Sequence, residues 1–148
     1  MCSTNSSHPG TTINVSTFKP KCYKRFQFPA FLLTNIRGGF ASKLDEFQAL
    51  FNDSNIDIAV LTETWLHSDI NSDMLHIPGY RLFRLHRRGG RQGGGVAIYV
   101  KSGISCYPLP DLSHDNLEVL WLLYRPNSMP REITHLLINW CYIPSSQG

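Results

Sequence analysis

Between residues 28 and 65 an apolar run, an amphipathic stretch and a second apolar run follow one another, and this succession limits the fold more than anything else in the chain. Residues 28–34 are short and apolar and end at Asn35, the pattern of a buried strand. Gly38-Gly39 signals a loop. Ser42, with Asp45 three residues on, has the spacing of a capping box that opens a helix. Leu44, Phe47, Leu50 and Phe51 recur at helical spacing and give one apolar stripe, which residues 52–55 end. Residues 56–61 are apolar again and lead into Thr62-Glu63-Thr64-Trp65. Strand, helix and strand in so short a span predict a β-α-β unit with parallel strands. The carboxyl ends of such strands face the same way, and polar residues there tend to line a site. Asn35 and Glu63 both fall at those ends.

The second half reads as strands. Tyr80–Leu85, Val96–Lys101, 105–107, 117–124 and 133–142 are candidates, with little helix after about residue 72. Ser102-Gly103 between the second and third of these is a hairpin signal. Residues 126–130 are expected as a turn, and Arg84, Arg87, Arg88 and Arg91 flank or occupy a glycine-rich stretch that reads as a loop. The triple glycine 93–95 is no P-loop, because no Gly-Lys-Ser/Thr follows it. Trp65 and Trp121 are expected in the core.

Length and composition fit one globular domain: 148 residues, 42% hydrophobic and 17% charged. Residues 1–27 stand apart. They are polar and end in the basic cluster Lys19, Lys21, Lys24 and Arg25, which reads as a flexible tail. That cluster is expected as a solvated linker, ahead of a phosphate contact or a nuclear address. The net charge of +3 permits a polyanion partner without demanding one. The four cysteines form no C-x-x-C pair, which removes support for a zinc site; Cys106 and Cys141 lie in apolar runs and are expected as buried thiols. No stretch approaches the ~18 apolar residues needed to span a bilayer. The polar N-terminus lacks the apolar core of a signal peptide, so an intracellular setting, nuclear or cytoplasmic, is expected.

Asn35, Glu63-Thr64-Trp65, the block 93–97 (GGGVA) and Tyr142-Ile143-Pro144 together carry a resemblance. Residues 77–80 (IPGY) and 117–121 (LEVLW) fit it as well. In their order and spacing these blocks resemble the endonuclease domain of LINE-type, non-LTR retrotransposons. That domain is a branch of the endonuclease/exonuclease/phosphatase fold, shared with abasic-site endonucleases, pancreatic deoxyribonuclease and inositol-phosphate phosphatases. The resemblance runs over residues 28–148; each block alone is weak, and the order makes it specific.

The resemblance implies a mixed α/β chain with the four-layer α/β/β/α sandwich, truncated to roughly its first half. It also implies Mg²⁺-dependent cleavage of a phosphodiester, with the DNA phosphate backbone as partner, no membrane, and no small-molecule cofactor besides the metal. Glu63 corresponds to the family's metal ligand, and a hard dication prefers such carboxylate oxygen. Asn35 corresponds to its active-site asparagine, whose amide both donates and accepts. Tyr142 corresponds to the tyrosine of its Tyr-x-Pro motif, a donor to the scissile phosphate. From the residues alone, each has a plainer reading: a solvated or capping Glu, a turn Asn, a core Tyr. The Arg/Gly loop suits duplex-backbone contact, or is a solvated hairpin loop.

After Tyr142 the sequence departs from the family. The family's Asp-x-Asn pair, late Asp and Ser-Asp-His ending cannot be assigned before Gly148. His86 stands where the family often has Asp, and Gly39-Phe40 replaces its more usual Ser-Leu. The expectation is a fragment with weak or absent Mg²⁺ binding and no significant cleavage alone, since activating water needs a base within reach. The second sheet should be largely missing, exposing residues 117–123 on the inner face of the first. The alternatives are a non-catalytic binding or interaction remnant that uses the Arg/Gly loop, and a fragment of a same-fold phosphatase.

Overall fold

The computed structural model describes residues 28–86, 93–112, 117–125 and 132–142. The polar tail, residues 1–27, lies outside them, as do Arg87, Arg88 and Arg91.

The β-α-β unit is present. Strand β1 (Phe31–Asn35) runs parallel to β2 (Ile58–Thr62), in a register that sets Asn35 beside Thr62. Between them a 3-10 turn at Phe40–Lys43 leads into helix α1 (Leu44–Asp53). The expected capping box does not form. Ser42 lies inside the 3-10 turn, its hydroxyl donates back to the Gly39 carbonyl at 2.7 Å, and the Lys43 side chain at the cap makes no capping bond. β3 (Tyr80–Leu85) and β4 (Val96–Lys101) pair antiparallel, and β4 returns antiparallel beside β2, giving a first sheet of order β1-β2-β4-β3.

β5 (Ser105–Pro108), β6 (Glu118–Arg125) and β7 (Leu136–Tyr142) build a second, antiparallel sheet of order β5-β6-β7. Two expectations change here. Ser102-Gly103 joins no hairpin: β4 belongs to the first sheet and β5 to the second, so the turn carries the chain between layers. The second sheet is present with three strands, and the 117–123 segment supplies its central strand rather than the first sheet's inner face. Local pattern could not separate these, because an apolar strand fits either layer.

Two cores follow from strand alternation. Ala59, Leu61, Ala97 and Tyr99 face α1 and pack with Phe40, Phe51, Leu75 and Ile77. Ile58, Val60, Val96, Ile98 and Val100 face the other way and meet Cys106 and Leu122 of the second sheet. β2 and β4 are therefore buried on both faces, which is why they read as unbroken apolar runs. Tyr99 and Tyr80 satisfy their hydroxyls on the Leu75 and Ile56 carbonyls, each at 2.7 Å, and burial pushes both phenols up. Among the described residues the layers are thus helix, sheet, sheet. Cys106 is buried as expected, and burial pushes its thiol up, but Cys141 is exposed. Alternation along β7 turns Trp140 toward the inter-sheet core and its neighbour Cys141 away from it.

The second sheet covers β2 and β4 but leaves the edge strand β1 open. Leu33 shares the face of Val60 yet is 68% exposed, and Phe31 touches only the rim of that core, 6.1 Å from the Trp140 ring. Phe40→Ala is expected to cost about 3–5 kcal/mol in urea unfolding of the full chain, because Phe40 fills the helix-side core. Leu33→Ala should stay within about 0.5 kcal/mol.

Candidate active site

Where the β1-β2-β4 ladder ends, three loops converge. Ile36 N–H still donates to the Thr62 carbonyl at 3.0 Å, and Gly38 N–H reaches the Glu63 carbonyl at 2.7 Å, so the two strand tips stay joined past their last paired residues. Asn35 is exposed at the first tip, its Oδ1 accepting from Arg37 N–H at 3.1 Å in an Asx turn. Glu63 follows at the second, half-buried. Neither side chain enters the packed interior.

The backbone here is held in a costly conformation. Glu63 and Trp65 both have φ of 54°, and Arg37 has 55°. The left-handed region costs an L-residue about 1–2 kcal/mol, so the surroundings must fix it. They do so through two glycines. Thr64 N–H donates to the Gly95 carbonyl at 3.3 Å and Trp65 N–H to the Gly94 carbonyl at 2.9 Å. The Gly94 N–H in turn donates to Glu63 Oε2 at 2.9 Å. Trp65 is 46% exposed rather than in the core; its ring lies flat against Gly38, and its Nε1 donates to the same Glu63 Oε2 at 2.9 Å. Among the described residues the carboxylate is thereby held by two N–H donors, one backbone and one indole.

A second carboxylate completes the arrangement. Glu118, first residue of β6, accepts from the Gly95 N–H at 2.7 Å. Tyr142 ends β7 directly opposite Glu118, at the same end of the second sheet; its side chain lies outside the described residues. The fold thus gathers Asn35 and Glu63 and sets the end of β7 at the β6 terminus whose Glu118 reaches Gly95. Arg84 is elsewhere: it lies within β3 on the helix side, its guanidinium donating to the Ile70 carbonyl at 2.6 Å. Sequence reasoning passed over Glu118 and the indole of Trp65, because their partners lie far away in sequence or turn on a backbone angle no motif reveals.

Among the described residues no three His, Cys, Asp or Glu side chains gather as a metal cage. The donor set at the strand tips is hard oxygen, from the Glu63 carboxylate and the Asn35 amide. That chemistry suits Mg²⁺, which binds through one or two carboxylates and keeps several waters.

Residues 32–145 match the profile of the endonuclease/exonuclease/phosphatase family. The chain belongs to that family. The RNA-directed DNA polymerase from mobile element jockey of Drosophila melanogaster is 28% identical over 87 residues, which is 59% of this chain and 9% of that protein. Its counterpart in Drosophila funebris is 24% identical over 84 residues, 57% of this chain and 9% of that protein. This member of the family therefore spans a small part of those mobile-element proteins, and its sequence is similar to theirs. Among solved structures, the AP endonuclease LMAP from Leishmania major superposes with a TM-score of 0.58 at 18% identity, over 77% of this chain and 40% of that one. The endonuclease domain of TRAS1, a telomere-specific non-LTR retrotransposon, gives 0.49 at 17% identity, over 77% and 44%. The first of these likenesses shows the fold: two stacked sheets of the family's sandwich with the helix layer on the first.

The glycines at the site are testable. A Cβ at Gly95 would lie 2.9 Å from Thr64 Oγ1 and 3.4 Å from the Leu85 carbonyl, at φ +85°; at Gly79, φ +82°, it would meet nothing within 4 Å. Gly79→Ala should cost only the backbone term, about 1–2 kcal/mol, and Gly95→Ala clearly more, both read from urea unfolding. Gly38→Ala would drive a methyl into the Trp65 ring, so tryptophan emission should shift, whereas Gly39→Ala, which meets only Ser42 Oγ at 3.3 Å, should leave it in place.

Proposed function

We propose that the chain is part of a Mg²⁺-dependent DNA endonuclease of a non-LTR retrotransposon and carries the Asn35–Glu63 half of its phosphodiester-cleaving site. The observation that supports this most is the setting of Glu63: a carboxylate fixed by the Trp65 indole and the Gly94 amide, on a strand tip beside Asn35. Similarity to the mobile-element jockey proteins supports the retrotransposon setting.

In this reading Glu63 and its water shell hold the ion, which supplies charge neutralisation at the phosphate oxygens when bound. Two donors on Oε2 pre-orient the carboxylate, so little ordering remains to be done on binding. The Asn35 amide orients a phosphate oxygen or a bound water without adding charge. The Tyr142 hydroxyl donates to the scissile phosphate, where negative charge builds. Arg87, Arg88 and Arg91 hold the duplex backbone. Arg84, whose guanidinium donates to the Ile70 carbonyl, ties β3 to the segment around residue 70. Within residues 1–148 no base for the attacking water is assigned, so this chain alone is not expected to cleave.

Plasmid nicking with Mg²⁺ tests the reading, comparing the chain alone with one continued to the length of the family domain. The longer form should nick, the 148-residue chain should not, and Glu63→Ala in the longer form should lose on the order of 100-fold or more. Undiminished nicking by Glu63→Ala would remove Glu63 from the site. Replacing Arg87, Arg88 and Arg91 should flatten the dependence of DNA binding on salt, the slope falling by about 0.9 for each phosphate that an arginine no longer neutralises.

A further inference from the structure

Gly94 and Gly95 are bonded on every side. Their carbonyls accept from Trp65 and Thr64, and their amides donate to two different carboxylates, Gly94 to Glu63 and Gly95 to Glu118. Both glycines have positive φ, 74° and 85°, so nothing intrinsic to an open chain holds this dipeptide in place. Glu63 is set from one side by its own segment, through the Trp65 indole, and from the other by Gly94. Among the described residues, the hydrogen-bond partner of Gly94 and Gly95 outside the segment they support is the carboxylate of Glu118, reaching across from the second sheet at 2.7 Å. Thr64 adds a steric limit on one side: its Oγ1 is buried, makes no hydrogen bond among the described residues, and would lie 2.9 Å from a Cβ at Gly95.

We infer that Glu118 is a positioning residue for Glu63, acting through the Gly94–Gly95 backbone and making the metal-binding geometry of the first sheet depend on the docking of the second. This rests on the reading of Glu63 as the metal carboxylate. It differs from a role for Glu118 as a second metal carboxylate, and the two roles predict opposite outcomes for two conservative variants. Glu118→Gln removes the charge but keeps an oxygen at the same reach. Glu118→Asp keeps the charge but withdraws it by one methylene from the Gly95 amide.

The probe is Tb³⁺ added to the full chain, a hard ion that takes oxygen ligands and luminesces when a nearby indole is excited; Trp65 stands beside Glu63 as that donor. Positioning predicts that Glu118→Asp weakens Tb³⁺ binding about tenfold, the usual effect of removing a partner that orients a ligand, while Glu118→Gln stays within about twofold of the parent chain. Weakening in Glu118→Gln with Glu118→Asp unchanged would overturn positioning in favour of direct charge. Equal binding in both variants and the parent would overturn it outright. Each affinity is taken well below the melting temperature of that variant, so a purely stabilising role for Glu118 would lower melting and leave affinity unmoved, which also overturns the inference. Glu63→Gln separates the two levels. Should it leave Tb³⁺ binding intact, the reading of Glu63 fails and this inference falls with it; should it abolish binding while neither Glu118 variant changes it, only the role of Glu118 is lost.

Discussion

The pairing of β2 with β4 is the constraint on which the rest of the structure depends. Ile58 to Thr62 lies antiparallel against Val96 to Val100, and the two strands bury one face under α1 and the other under the second sheet. A strand pair buried on both faces cannot slip register, because a shift by one residue would exchange the two cores. Its end is therefore fixed in space, and that end is Thr62 beside Val96. The next residues outward are Glu63 on one strand and Gly95 on the other. The carboxylate and the glycines that hold it are where they are because the ladder stops there.

Past that point the backbone trades regular pairing for strain. Glu63 and Trp65 occupy the left-handed region, which side chains disfavour, and Gly38, Gly94 and Gly95 supply the close approach that makes it tolerable. The arrangement spends conformational energy to turn one carboxylate outward and fix it with an indole and an amide. Strain of this kind persists where surrounding structure over-determines it, and here β1, the glycine segment after β3 and the start of β6 all contribute. The second sheet is thus more than a lid on the inter-sheet core, since its first β6 residue touches the glycine segment that holds Glu63.

The exposure of Leu33 and Phe31 belongs to the same geometry. The second sheet sits over β2 and β4, and its β7 edge comes only as far as the Trp140–Phe31 contact. The inter-sheet face of β1 therefore stays in solvent beside the site.

By itself the sequence determined the strands bounded by strong local signals. Tyr80–Leu85 and Val96–Lys101 were legible to the residue, because an alternating pattern in the first and an unbroken apolar run in the second end at glycine-rich or turn segments. It also determined the β-α-β unit, and with it the neighbouring positions of Asn35 and Glu63, since a parallel pair joined by one helix must bring its carboxyl ends together. Only the tertiary structure decided which sheet each later strand joins, that Ser102-Gly103 crosses between layers, that Trp65 and Cys141 face outward, and that Glu118 belongs beside Glu63's support. The reason is physical. Periodicity reports which residues of a strand share a face, but the partner of that face, and the backbone angle that aims a single side chain, are set by contacts between residues 23 to 31 positions apart or more.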